Sequence, residues 1–364
     1  MYDRDIKEIM SHFRIYGDYV KSDGLGNGHI NSTFKVLFNQ GGTIVPYALQ
    51  KINTNIFKDP YKLTDNIVKI TNFQKEYYRK FKDISRRCLT PLQANDGNYY
   101  YIDANRHFWR VFFCIESAVS YEIVRDAKAA YETARAFGEF QKSLFGLKSA
   151  SLAETIPNFH NTPKRFEAFE EAVKSDAVGR CKEVAKEIDF AFERKEKCSS
   201  LVEMHKKGLI PERIVHNDTK LNNILFDIQT DEPICVLDLD LVMPGFSAYD
   251  FGDMIRTMTT PVAEDETDIS KVEMRFNVFE AITEGFLSSA RGFLTNGEIE
   301  SLPYGGYVIT FEQSVRFLAD YLNGDTYYKI HRPKHNLDRT RTQFALISSI
   351  EKQWNKMCKF IDKF

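Results

Sequence analysis

Polar and apolar residues alternate with a period near two along much of the first third of the chain. Thr33-Phe34-Lys35-Val36-Leu37-Phe38 has strand character, Asn39-Gln40-Gly41-Gly42 supplies a turn, and Val45 to Ile52 reads as a second strand. Two further strands, Asn98 to Ile102 and Phe108 to Ile115, flank a turn at Asp103-Ala104-Asn105. The period changes to helical over 61–80, where Leu63, Ile67, Ile70 and Phe73 share a face. Residues 3–16 can form a short helix before the first strand.

Beyond residue 116 the helical period takes over. Ala130, Ala134, Phe137 and Leu144 lie on one face, and Thr162-Pro163 reads as an N-cap followed by proline in the first turn. One interruption, Ile214 to Leu237, holds strand-like pieces at 224–228 and 234–237. The pattern predicts an α+β chain with a sheet-rich lobe over 1–115 and a helical lobe over 116–364, joined near 113–119.

The chain has 364 residues, 49 Lys plus Arg and 51 Asp plus Glu, for a net charge of −2. That balance gives no reason to expect a nucleic-acid partner. Six cysteines at 88, 114, 181, 198, 235 and 358 include no C-x-x-C pair, so zinc knuckles and a disulfide framework are not expected. The start MYDRDIKEIMSHF has no apolar signal-peptide core, and no run of 18 apolar residues occurs. The expectation is a cytoplasmic protein with no membrane span.

The interruption carries the candidate chemistry. It reads His216-Asn217-Asp218-Thr219-Lys220-Leu221-Asn222-Asn223, then a short hairpin, then Val236-Leu237-Asp238-Leu239-Asp240. This is H-x-D-x-x-x-x-N with an acid after an apolar strand. Phosphoryl transfer needs a carboxylate to accept a hydroxyl proton and oxygen ligands for Mg²⁺ on the triphosphate. Asp218 suits the base, and Asn223 and Asp238 suit the metal. His216 reads better as a buried scaffold residue. A loop whose Asp and Asn only make turn hydrogen bonds is the plainer alternative.

Upstream, Gly24-Leu25-Gly26-Asn27-Gly28-His29-Ile30-Asn31-Ser32-Thr33-Phe34 leads into a strand, so it is not a Rossmann fingerprint. Alone it reads equally as a glycine-rich hairpin turn. Joined to the later motif, it reads better as a loop covering phosphates, with Gly26, Gly28, Asn31 and Thr33 at the nucleotide.

These residues resemble the protein-kinase-like fold, and within it the aminoglycoside phosphotransferase and choline kinase group. Asp250-Phe251-Gly252-Asp253 is similar to the D-x-G-D stretch of that group, whose acids buttress the catalytic loop. A closer resemblance covers nearly the whole chain and points to bacterial N-acetylhexosamine 1-kinases. It rests on Gly26 to Phe34, His216 to Leu225, Leu237 to Gly245, Arg316 to Asp325 and His335 to Thr342. It implies ATP and Mg²⁺ as cofactors and transfer of the γ-phosphate to the anomeric hydroxyl of GlcNAc or GalNAc. It also implies Asp218 as base and His29, Arg316, Tyr327 and Asp320 near the sugar. Aminoglycoside, choline and homoserine are the alternative acceptors, and a nucleotide-binding module without transfer activity is a rival of another class.

One position departs from the wider kinase pattern. The strand Tyr47-Ala48-Leu49-Gln50-Lys51 places Gln50 where a phosphate-holding cation belongs, and its expected helix partner falls near Asn66. A neutral Gln50/Asn66 arrangement is expected; a one-residue slip would instead turn Lys51 inward. Within the polar stretch 316–342, Arg339 and Arg341 read equally as acceptor-site or structural residues. A sulfatase C/S-x-P-x-R motif and a G-x-S-x-G elbow are both missing.

Overall fold

The computed structural model describes residues 3–25 and 30–364. Gly26, Gly28 and His29, expected at nucleotide and sugar, lie outside the described residues. The chain divides into two compact units. The first gathers Met1–Ser120, Ala150–Pro157 and Leu225–Val242; the second gathers Tyr121–Ser149, Asn158–Ile224 and Met243–Phe364.

The first unit holds an antiparallel sheet of β1 (Asp18–Gly24), β2 (Ser32–Gln40), β3 (Thr43–Ile52), β4 (Tyr101–Ile102) and β5 (Phe108–Phe113), in the order β1-β2-β3-β5-β4. The β2–β3 turn needs φ > 0 at Gly41 (63°) and Gly42 (93°), and Asn39 Oδ1 accepts from Gly42 N at 2.8 Å. Val36, Phe38, Tyr47, Leu49, Trp109 and Val111 form one sheet face and pack on Ile6, Ile9 and Met10 of the helix Asp3–Ser11. Alternation then puts Ala48, Gln50, Arg110 and Phe112 on the opposite face. β4 is shorter than the alternation predicts. Gly97 (φ 93°) turns the chain, and Ala94 N binds Asn98 O at 2.6 Å, so Asn98 belongs to a turn.

The helix expected over 61–80 runs Pro60–Tyr78, capped by Asp59, which accepts from Lys62 N. A smaller sheet joins β6 (Ala118–Val119), β8 (Ile224–Asp227) and β9 (Pro233–Val236), with β7 (Arg213–Val215) elsewhere in the chain. Arg86 anchors this hairpin through Asp227 Oδ2 (2.7 Å) and the carbonyls of Glu116 (3.0 Å) and Ser117 (2.9 Å).

The second unit is helical. Its central helix, Leu302–Leu322, is buried along most of its length and packs on the helices Thr162–Ser175, Ser247–Met258 and His335–Ile361. The helix expected to be capped by Thr162 is capped by Asn161 instead, with Thr162 already inside the first turn. β7 pairs antiparallel with β10 (Met243–Gly245), bracketing the segment with the candidate chemistry. Helices Ser247–Met258 and Leu302–Leu322 approach closely at glycines: a Cβ on Gly305 would meet Ala248 O at 2.0 Å, and one on Gly252 would meet Gly305 O at 2.2 Å.

Gly305→Ala forces these two backbones apart. The expected loss is about 1–3 kcal/mol of stability, the usual cost of overpacking, read from denaturant unfolding. A midpoint equal to wild type would mean the crossing is looser than described.

Candidate active site

The loop after β7 is shaped by a helix that follows it in sequence. Asp250, with no exposed surface, accepts His216 N (Oδ2, 2.9 Å), Asn217 N (Oδ1, 2.7 Å) and the Gln141 amide (Oδ2, 2.7 Å). The Thr219 hydroxyl donates to Asp250 O at 2.6 Å, and Asp253 Oδ2 accepts Thr219 N at 2.9 Å. Asp253 is itself paired with Arg256 at 2.8 Å. Asn217 takes φ 65°, a conformation that asparagine tolerates. His216 is fully buried in edge contact with Phe137 and Phe140, and its Nδ1 accepts Asp218 N at 3.3 Å.

This frame leaves Asp218 partly buried with its carboxylate held at both oxygens. Asn223 Nδ2 donates to Asp218 Oδ2 at 3.0 Å and to its carbonyl at 2.9 Å, while Lys220 Nζ lies 2.6 Å from Oδ1. Burial opposes the charge on Asp218, but Lys220, His216 and Asn223 outweigh it and hold the carboxyl below its usual value. Lys220 is pushed up in turn by Asp218 and Asp253, against its own burial. Asn223 turns its nitrogen toward Asp218, so its amide oxygen accepts nothing from the described residues. Lys220 was not among the expected site residues; its place two residues after Asp218 was the available signal.

The same unit holds the expected acceptor residues. Arg316 stacks over Phe159 (5.2 Å) and near Tyr328 (5.8 Å), and Tyr327 is 59% exposed beside Tyr328. Arg165 shares Phe159 at 5.9 Å and donates to its carbonyl at 3.0 Å. Burial, and then the charge of Arg316, lower Arg165 from the ordinary guanidinium value. Glu312 is buried beneath them. His160 Nδ1 lies 2.8 Å from Glu312 Oε1, Thr162 donates to Oε2 at 2.7 Å, and His160 Nε2 lies 3.3 Å from Asn217 O. A chain of contacts thus runs from Glu312 to the residue before Asp218. Neither His160 nor Glu312 was expected; a glutamate in the otherwise uncharged stretch Val308–Val315 was the clue.

Asp320 is a correction to the expected sugar contacts. Its four acceptor positions are taken by Thr326 N, Tyr327 N, Tyr328 N and Asn336 Nδ2, at 2.8–2.9 Å. It clamps the turn that presents Tyr327. Arg341 pairs with Glu187 at 2.7 Å, and Arg339 binds Asn336 Oδ1 at 3.1 Å.

In the first unit, Asp238 is exposed, with φ 55°, at the start of the turn Leu239–Leu241. Asn31, Thr33 and Gln50 spend their polar atoms on protein partners. Asn31 donates to Asp240 Oδ2 (2.5 Å) and accepts Asn53 N (2.9 Å). Gln50 donates to Thr33 Oγ1 (3.2 Å) and accepts Arg110 Nε (2.9 Å). The Gln50/Asn66 pairing does not form, because Asn66 exchanges two hydrogen bonds with the backbone of Ala153. Lys51 sits 5.9 Å over Trp109, so the slipped register is excluded. Arg110 and Asp240 were missed, although an arginine inside Phe108-Trp109-Arg110-Val111-Phe112 advertises a buried partner.

The model of the phosphotransferase enzyme family matches residues 75–270, more than half of the chain. Among solved structures, a microcompartment-associated aminopropanol kinase is 14% identical, with TM-score 0.63, over 97% of this chain and 98% of that one. A spectinomycin phosphotransferase in complex with ADP and spectinomycin is 10% identical (TM-score 0.59; 97% and 99% covered). Choline kinase from Cryptosporidium parvum Iowa II is 11% identical (TM-score 0.58; 99% of each). At these identities the likeness is one of fold.

Removing the positive neighbour must raise the Asp218 pKa. Carboxyl ¹³C titration of Lys220→Met is expected to place Asp218 higher than in the wild type. A downward or absent shift would contradict the role given to Lys220.

Proposed function

Because the chain belongs to the phosphotransferase enzyme family, we propose that it is an ATP- and Mg²⁺-dependent sugar kinase, transferring the γ-phosphoryl group to the anomeric hydroxyl of an N-acetylhexosamine such as GlcNAc or GalNAc. The observation that carries the kinase reading is Asp218, held as a carboxylate between Lys220 and Asn223 on a loop fixed by Asp250. In this reading Asp218 orients the acceptor hydroxyl and takes its proton as the phosphorus–oxygen bond forms.

Metal ligation is assigned to Asn223 and Asp238. Both offer oxygen, the donor Mg²⁺ prefers, and an ion carried by a triphosphate needs only one or two protein ligands. Among the described residues no three His, Cys, Asp or Glu side chains form a self-sufficient metal group, in keeping with an ion that arrives with its nucleotide. When bound, Mg²⁺ neutralises charge on the transferring phosphates.

The acceptor is argued from charge. Arg165 and Arg316 flank Phe159, and the oxygens of Glu312 are engaged by His160 and Thr162. Two guanidiniums beside these rings, with the Glu312 carboxylate already engaged, disfavour a polycationic aminoglycoside or choline. A neutral sugar can use the guanidinium donors and stack on Tyr327 or Tyr328. Arg316 and Tyr327 are the residues assigned to it. Homoserine, zwitterionic and small, is the acceptor that this charge pattern disfavours least among the alternatives. Among the described residues no helix is long and apolar enough to cross a membrane, and all six cysteines are unpaired.

ADP release should be stimulated by GlcNAc or GalNAc and not by choline, homoserine or kanamycin, and ³¹P NMR of the product should show coupling to the anomeric proton. Stimulation by choline or kanamycin alone would overturn the sugar assignment. Asp218→Asn should lower turnover by about 10²–10⁴-fold with the fold intact; full turnover would remove Asp218 from the reaction.

A further inference from the structure

The face of the sheet that carries Gln50 contains one buried cation, and it stands on the neighbouring strand. Gln50 and Arg110 are directly opposite in the β3–β5 register. The Arg110 side chain is 4% exposed, and its Nη2 lies 2.6 Å from Oδ1 of Asp240, whose side chain is 2% exposed. Its Nε donates to Gln50. Among the described residues neither its Nη1 nor Asp240 Oδ1 makes a hydrogen bond, so the pair is one of close opposite charges, and the guanidinium lies 5.3 Å over the Phe112 ring.

Asp240 is held from three further directions. Asn31 donates to its second carboxylate oxygen, Thr155 donates to its backbone oxygen at 2.7 Å, and the turn Leu239–Leu241 contains it. That turn begins at Asp238, which sits in the left-handed region at φ 55°. Arg110 therefore ties two strands to the short turn that begins at Asp238.

A buried ion pair is a weak contributor to stability beside apolar residues of the same volume. An unmet N–H on the arginine makes it weaker still. The effect of the pair is better sought in the geometry it imposes. Charge balance also accounts for the neutral Gln50: one cation balances Asp240, and a second at position 50, directly opposite in the register, would face Arg110 with the same sign.

We propose that Arg110 is a positioning residue that fixes Asp238 for the metal–nucleotide complex, holding from β5 the charge that the wider kinase pattern carries on β3. It acts through Asp240 and the turn Leu239–Leu241. The inference rests on the reading of Asp238 as a metal ligand.

The test is ADP binding by calorimetry across a series of Mg²⁺ concentrations, with the melting midpoint recorded for every variant. Arg110→Gln should raise the Mg²⁺ needed for half-maximal ADP binding by about 10–100-fold, the usual effect of losing an outer-shell partner. ADP binding at saturating Mg²⁺ should persist. Arg110→Gln combined with Gln50→Lys moves the charge across one register pair and should restore the wild-type requirement. If Arg110→Gln alone fails to fold, Arg110→Gln with Asp240→Asn removes both charges and should show the same rise. An unchanged Mg²⁺ requirement in a folded variant overturns the inference, as does a charge swap that restores the melting midpoint but not the Mg²⁺ requirement. Wild-type protein whose ADP binding ignores Mg²⁺ would remove the Asp238 reading as well.

Discussion

The Asp250 carboxylate accepts two consecutive backbone N–H groups, those of His216 and Asn217, from a position with no access to water. A buried charge of this kind is tolerated only when its lone pairs are filled. The loop must therefore bend so that both amides point at one carboxylate, and Asn217 takes a left-handed conformation to allow it. The direction of Asp218 follows from that bend. Thr219, bound to both Asp250 and Asp253, closes the far side. The glycine contacts at 252 and 305 let the helix bearing both acids approach the central helix closely enough to be rigid. The candidate base is thus aimed by backbone geometry, with its own side chain left for Lys220 and Asn223.

The charges in the two units follow one rule. Each buried acid has a local cation or a set of N–H donors: Asp240 has Arg110, Asp253 has Arg256, Glu312 has His160, and Asp320 has three amides and Asn336. Once those partners are assigned, much of the polarity of 316–342 is structural. Arg316 lies over aromatic rings, 3.3 Å from Gln313 Oε1 and 3.9 Å from the Glu312 carboxylate, and Tyr327 is exposed beside Tyr328.

Local patterns in the sequence carried the elements. The strand alternation at 33–52 and the helix at 61–80 were readable, because each depends on residues close in the chain. Features set by distant partners were not. Nothing near Asn66 signals that Ala153 will occupy its amide, and nothing near Asp320 signals that the chain will return at 326–328 to fill it. The cap at Asn161 was misread because Thr162 is an equally good capping residue, and its hydroxyl was claimed by Glu312, 150 positions away. The strongest unused clues were Arg110 inside an apolar strand and Glu312 inside an otherwise uncharged helical stretch. Such residues are rarely buried without a specific partner.

The low pKa of Asp218 bears on the kind of hydroxyl it can serve. A carboxylate stabilised by Lys220 is a weak base, so it cannot remove a proton from an ordinary alcohol ahead of phosphorus–oxygen bond formation. A loose phosphoryl-transfer transition state asks little of the base until late, and positioning supplies most of the rate. An anomeric hydroxyl suits that arrangement better than a primary alcohol does, because the ring oxygen stabilises the developing alkoxide and makes the hemiacetal more acidic. The electrostatics of the base and the guanidinium-flanked aromatic surface of the same unit bear on separate features of the proposed acceptor. One concerns the proton that leaves, and the other concerns the charge of the molecule that carries it.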